Sequence, residues 1–202
     1  MGKKKMLLIS LGLAAVVLAG CAGEAVEPVA EVADPEAPAF HFASGTLELG
    51  EFDPATLGDD LFDPCTEISA EEFAAAGVTG VEPEPIIAES SNGMALGCDS
   101  DPIDHGIDRS IVSSRTPAAG VAETAGYELS YPETEVRDAY LMKNPVVSPY
   151  LCAAQVDTTR GALGVSVSVS GIKKESIDAC VLALDNLERL YKASVQEAAE
   201  EM

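Results

Sequence analysis

The sequence is poor in residues on which several classes of protein depend. It contains no tryptophan, and its two histidines, His41 and His105, lie far apart in the chain. Basic residues are also scarce: 12 Lys and Arg stand against 34 Asp and Glu, and none occurs over residues 22–108. A formal net charge of −22 repels the phosphate backbone of DNA and RNA, so we expect no nucleic acid partner.

Known catalytic motifs are also missing. A serine hydrolase brings Ser, His and an acid together, but the sequence has no Gly-x-Ser-x-Gly turn. Zinc sites need closely spaced Cys and His, and phosphate-binding loops need glycine clusters; neither pattern is present. The sequence therefore predicts a non-catalytic protein that binds a ligand or partner, or that supports another envelope protein. The alternative is an unrecognised extracytoplasmic enzyme, for example a metal-assisted one.

The first 21 residues have the pattern of an export signal. Three lysines precede an apolar run over residues 6–18, which is shorter than the roughly 20 residues of a membrane span. The next residues, Leu18-Ala19-Gly20-Cys21, resemble the lipobox of bacterial lipoproteins, in which the thiol accepts a diacylglyceryl group. We therefore predict a signal peptide over residues 1–20 and lipidation of Cys21, with acyl chains such as palmitate. This would place the protein on the extracytoplasmic face of the cell membrane, held by its lipid anchor alone.

Residues 21–60 are expected to form an acidic tether. They begin with a segment rich in Ala, Glu, Val and Pro that follows no helical or strand period, which favours an extended, disordered chain. Residues 40–49 are more apolar, and this indicates either a lone strand or a segment docked on the domain. A single extracytoplasmic domain is predicted over residues 61–202.

Helices are predicted near both ends of this domain. Ser69 and Glu72 have the spacing of a capping box, which predicts a short helix over residues 65–76. Apolar residues at spacings of three and four predict a long helix over residues 174–199.

Strands are predicted between the two helices. Alternating Val and Ser at residues 165–170 indicate that residues 162–170 form an antiparallel hairpin with residues 150–157. Shorter apolar runs bounded by turn residues predict further strands, at residues 78–81, 85–88, 94–98, 110–113, 122–131 and 136–142. The fold class is therefore α+β, an antiparallel sheet packed with a short N-terminal helix and a long C-terminal helix.

One stretch resembles a known family. The run Phe62-Asp63-Pro64-Cys65 is similar to the opening of the domain in an uncharacterised lipoprotein family of actinobacteria, whose members carry a lipobox and a tether. The family's order of four cysteines is matched here by Cys65, Cys98, Cys152 and Cys180, whereas Ser100 stands where members often have Trp. The resemblance covers about residues 60–192. It implies an envelope location and a small α+β fold, and it implies no known activity.

The same four cysteines predict two disulfides. The cell exterior is oxidising, and an even number of cysteines is left once Cys21 is lipidated. Four cysteines allow three pairings, but the topology favours Cys65–Cys98 and Cys152–Cys180. A helix that packs antiparallel to the next strand starts near the end of that strand. The strand that contains Cys152 starts beside the end of the hairpin from which the final helix departs, so Cys152 should lie near Cys180 in that helix.

An acidic loop gives a calcium hypothesis. Asp99, Asp101, Asp104 and Asp108 follow one another closely, and calcium prefers carboxylate oxygens. The spacing is not that of an EF-hand, because Pro102 follows the Asp-x-Asp start and no Glu closes the loop. A solvated acidic loop is the alternative, and no other cofactor is expected.

Overall fold

Residues 37–84, 94–173 and 175–200 are described by the computed structural model. Together they form antiparallel sheets packed with helices, which confirms the predicted α+β class. The predicted signal peptide, the first part of the tether (residues 21–36, with Cys21) and the strand predicted over residues 85–88 lie outside the described residues. No helix in the described part of the chain is both long and apolar enough to span a membrane.

The described residues contain strands and helices in alternating groups. The strands are β1 Ala39–Phe42, β2 Gly45–Glu48, β3 Glu82–Pro83, β4 Ala95–Asp99, β5 Ile107–Ser114, β6 Glu128–Ser130, β7 Tyr140–Asn144, β8 Ser148–Thr158 and β9 Gly161–Val169. The α-helices are α1 Pro64–Glu67, α2 Ala70–Ala75, α3 Ala118–Glu123 and α4 Ala179–Glu200, and a 3-10 turn precedes α4 at Gly171–Lys173.

The strands form two sheets. Strands β1 and β2 pair only with each other, whereas β3 to β9 form a sheet in the order β3-β4-β5-β9-β8-β7-β6. Every neighbouring pair in this sheet is antiparallel, and the predicted hairpin is the β8–β9 pair at its centre. The longest strands therefore lie in the middle of the sheet, and the shortest lie at its edges.

One face of the sheet carries the main core. Val165, Val167 and Cys152 lie on this face and are almost fully buried. Helix α4 packs on strands β8 and β9, with Leu187 and Leu190 on its buried side. The predicted apolar stripe of the last helix is therefore the stripe that covers the sheet.

The first hairpin, β1–β2, belongs to this core. Phe40 and Leu47 are 0% and 1% exposed, and the Phe40 ring lies edge-on to Tyr191 of α4 with 5.2 Å between centroids. Leu49 continues the pairing as a bridge to Thr158 at the end of β8. The folded domain therefore begins near residue 39, which corrects the expected boundary at residue 61. Of the two interpretations of residues 40–49, a lone strand or a segment docked on the domain, the structure shows the docked segment, in the form of a hairpin.

The predicted helix over residues 65–76 is two helices. Helix α1 ends at Glu67 because Ile68 and Ser69 are extended, with ψ near 125° and 160°. Ser69 then starts α2 as its N-cap: its hydroxyl accepts from the Glu72 N–H at 3.2 Å, and the Glu72 carboxylate accepts from the Ser69 N–H at 2.7 Å. The predicted capping box is confirmed, and it is also what interrupts the helix.

Three further expectations differ from the structure. The strand predicted over residues 122–131 is the end of helix α3 followed by the short strand β6, and Gly126 makes the turn between them with a positive φ of 89°. Residues 78–81 form no strand, and β3 follows them instead. The last helix begins at Ala179 rather than at residue 174, after the 3-10 turn.

Candidate functional site

The second face of the sheet is only partly covered. Side chains alternate along β8 and β9, so Ala153, Gln155 and Ser166 point away from the helix layer. Helix α3 covers one end of this face, where Val121 is buried and the Ala118 N–H donates to the Asp157 carboxylate. The other end lies open and forms a groove.

The groove has a volume of about 340 Å³. Its lining residues come from five strands of the large sheet and the loops beside them, and none carries a charged side chain; they are Ala95, Val112, Ser113, Ser114, Tyr127, Met142, Asn144, Val147, Ser148, Leu151, Ala153, Gln155 and Ser166. Several are partly exposed, among them Tyr127 and Leu151 at 39% and 38%. The groove is thus an uncharged, mainly apolar surface on a chain in which 23% of residues are charged.

A buried polar network closes one end of the groove. The Tyr140 hydroxyl lies 3.3 Å from Oε1 of Gln155 and 3.2 Å from Oδ1 of Asp157. Burial raises the pKa of Asp157, although hydrogen bonds from the Ala118 N–H and the Tyr140 hydroxyl oppose the rise. Burial also raises the pKa of Tyr140, reinforced by the nearby Asp157 charge. The Tyr140 hydroxyl and the Asp157 carboxylate therefore lie beside Gln155, which lines the groove.

A second cavity, of about 370 Å³, lies between β5, α4 and the turn after α2. Arg109 is 6% exposed, and its guanidinium donates to Ser100 Oγ at 2.9 Å, Asn186 Oδ1 at 2.7 Å and the Gly77 carbonyl at 3.3 Å. Arg189 lines the same cavity and donates from Nε to Asp185 at 2.9 Å. Two of the five arginines of this acidic chain therefore line one cavity.

The four aspartates of the calcium hypothesis bind different partners. Asp99 accepts from the Ser110 hydroxyl, Asp101 accepts from the Thr79 hydroxyl, and Asp104 pairs with Lys173; the fourth, Asp108, lines a separate cavity. The described residues contain no group of three or more acids, His or Cys placed to hold a metal ion. The structure does not bring the four carboxylates together as a ligand set.

The cysteines form one disulfide and one pair of thiols. Cys152 and Cys180 are bonded, with 5.0 Å between their Cα atoms, which confirms this predicted pairing. Cys65 and Cys98 are neighbours but both are free thiols. The thiol of Cys65 and burial together raise the pKa of Cys98. Among the described residues the expected two disulfides are therefore one formed bond and one adjacent thiol pair.

Sequence reasoning did not identify either cavity. Arg109 follows Ile107 and precedes Ile111 at a spacing of two, so the alternation of β5 already placed a charge on the buried face. The groove gave no such signal, because its lining residues are distant in the sequence and form no motif or unusual pattern. The two histidines, His41 and His105, lie in β1 and in the acidic loop, and neither lines the groove.

Comparison with known proteins gives a single result. Neither the curated proteins nor the solved structures provide a match to the chain. One family model, described as "Protein of unknown function (DUF3558)", matches residues 16–192, and this is most of the chain. The chain therefore belongs to the DUF3558 family, an uncharacterised domain family.

Proposed function

We propose that the protein is a lipid-anchored, non-catalytic binding module of an actinobacterial cell envelope, and that the open face of its sheet binds an uncharged apolar ligand. The Leu-Ala-Gly-Cys run that ends at Cys21, the lysines before it, and the resemblance of the Phe-Asp-Pro-Cys segment to lipoproteins support the anchor and the location. The groove supports the binding role.

The observation that carries the binding role is the uncharged lining of the groove. A ligand that enters it leaves water for apolar and small side chains, so an uncharged apolar group gains most from the transfer. Uncharged polar side chains of the lining, such as Gln155, Asn144 and Ser166, are available to orient such a ligand. A charged ligand would be desolvated there without an ionic partner.

The same lining favours binding over catalysis. General acid–base or nucleophilic chemistry needs a titratable pair within hydrogen-bond reach of the reacting group. Tyr127 is the one titratable side chain among the lining residues, and it is partly exposed at the rim. Contiguous exposed apolar side chains on a folded domain are typical of a recognition surface.

The groove can be tested with N-phenyl-1-naphthylamine, a neutral apolar dye whose fluorescence rises when it leaves water. We expect saturable enhancement with the full-length protein and about tenfold weaker binding for Leu151→Ser, which removes apolar surface from the groove. Val181→Ser is the matched control, because Val181 is 64% exposed on α4 and does not line the groove. Absence of saturable binding, or an equal loss in the control, would contradict the proposal.

The anchor needs a separate measurement. Mass spectrometry of the N-terminal peptide of protein isolated from its native membrane should find a diacylglyceryl group on Cys21. Cys21→Ser should yield an unlipidated precursor that is stalled uncleaved or released. An unmodified Cys21 in the processed protein would refute the proposed lipidation, and it would leave the proposal for the groove unaffected.

A further inference from the structure

Arg109 is a buried cation that forms no ion pair with the described residues. Its three hydrogen bonds go to a hydroxyl, an amide oxygen and a backbone carbonyl, which are all neutral. None of the ion pairs among the described residues includes it. Burial lowers the pKa of Arg109, Asp101 opposes this, and Arg189 adds to it. A charge removed from water in this way is unfavourable unless an anion compensates it.

The unused part of the guanidinium faces a cavity. Nε and Nη1 of Arg109 make the three hydrogen bonds, and Nη2 has no partner among the described residues. Arg109 is therefore held by Ser100 after β4, by Asn186 of α4 and by the Gly77 turn, while one nitrogen is left to donate to a ligand in the 370 Å³ cavity that Arg109 lines. A planar guanidinium with free N–H groups is suited to a carboxylate.

Arg189 approaches the same turn. Its Nη1 is 3.9 Å from the position that a Cβ on Gly77 would occupy, and Arg109 donates to the carbonyl of that glycine. The Nε of Arg189 is used by Asp185, so its terminal nitrogens can donate elsewhere. The two guanidinium groups thus converge on one end of the cavity.

The rest of the lining is of two kinds. Asp101 and Asp185 supply two carboxylates, and Asp101 is fixed by the Thr79 hydroxyl at 2.8 Å. Ile103 and Leu182 supply an apolar wall. The cavity therefore offers cations, anions and apolar surface within a volume that suits a small molecule.

We propose that this cavity binds a small zwitterion with an aliphatic body, of the class of a free aliphatic α-amino acid. The carboxylate binds Arg109 Nη2 and Arg189, the ammonium binds the two aspartates, and the side chain packs on Ile103 and Leu182. Overall charge supports a zwitterion over a simple anion, because a chain of net charge −22 repels anions but not a molecule without net charge.

The charge requirement is tested with leucine, N-acetyl-leucine and leucinamide. The second compound lacks the ammonium and the third lacks the carboxylate, while all three keep the side chain. Isothermal titration of the full-length protein should give saturable binding of leucine and binding at least tenfold weaker for the other two. Inorganic phosphate should compete poorly. No binding of leucine, or equal binding of any of the three other compounds, would overturn the proposal.

The assigned residues are tested with exposed positions first. Arg189→Gln and Asp101→Asn should each weaken leucine binding about tenfold while the circular dichroism spectrum is unchanged. Arg137→Gln is the control, because that arginine is exposed, pairs with Asp138 and lies outside the cavity. Arg109→Gln should abolish binding, but it also removes contacts between three elements. Unchanged affinity in Arg189→Gln would therefore refute the assignment whatever Arg109→Gln does. The groove is unaffected by these variants, so dye binding distinguishes failure here from failure of the proposed function.

Discussion

Removal of the Phe40 side chain is the most direct test of where the folded domain begins. The residue lies outside the domain that the sequence predicts, yet its ring is fully buried in the structure. The ring stacks on Phe42 with 5.6 Å between centroids and meets Tyr191 edge-on at 5.2 Å. Phe40→Ala leaves a cavity between β1 and α4 and removes both aromatic contacts.

The expected loss in the free energy of unfolding is about 4 kcal/mol. Phe→Ala substitutions in protein cores cost about 3–5 kcal/mol, since the transfer term and the cavity add. Phe40 belongs in the upper half of this range because it has two aromatic partners, each worth about 0.5–1.5 kcal/mol beyond the area buried.

Urea unfolding of the full-length protein, followed by circular dichroism, measures this loss. Thr46→Ala on the same hairpin is the control; Thr46 is exposed, so its change should stay within about 0.5 kcal/mol. A loss below about 1 kcal/mol for Phe40→Ala would mean that the hairpin unfolds independently of the sheet. The domain boundary near residue 61 would then be restored.

Two further predictions concern the first helix. Protein isolated from an oxidising compartment should give a linked peptide pair that contains Cys65 and Cys98. This disulfide closes a loop of about 33 residues and should stabilise the fold by about 3–4 kcal/mol. Two alkylatable thiols in the native protein would contradict the prediction. The pKa of Glu67 lies below its usual value: burial raises it, but hydrogen bonds and charge from Arg160, together with the Asp63 N–H, outweigh burial. A carboxyl group with a lowered folded-state pKa stabilises the fold above its unfolded pKa, and this stabilisation is lost as the pH falls through the folded pKa. Glu67→Gln should therefore reduce stability by about 1 kcal/mol at pH 7, and the difference should disappear on acidification below the folded pKa, whereas the exposed Glu71→Gln control shows no such trend.

The parts of the fold that were predictable are those set by local chemistry. Ser69 and Glu72 bond each other across three residues, and the Val–Ser alternation of β9 needs only a strand with one buried face. The stripe of α4 has the helical period over several turns. These signals lie within one element, so the sequence displays them directly.

The missed parts depend on contacts between distant segments. Strands β1 and β2 have four residues each, which is too short for a periodic signal, and their burial comes from α4 and β8. The same reason applies to both cavities. The groove is lined by Ala95, Met142 and Ser166, which are far apart in the sequence. The second cavity is lined by Arg109 and Arg189, which are 80 positions apart.

The edges of the large sheet have a consequence for assembly. The outer strands β3 and β6 contain two and three residues, and β3 includes Pro83, which has no backbone N–H to donate. Short edges with a proline and acidic residues resist the addition of a strand from another chain. Copies held close together should therefore not polymerise through their backbones. Association between them would have to use side-chain surfaces, and it would respond to surface mutations and to salt.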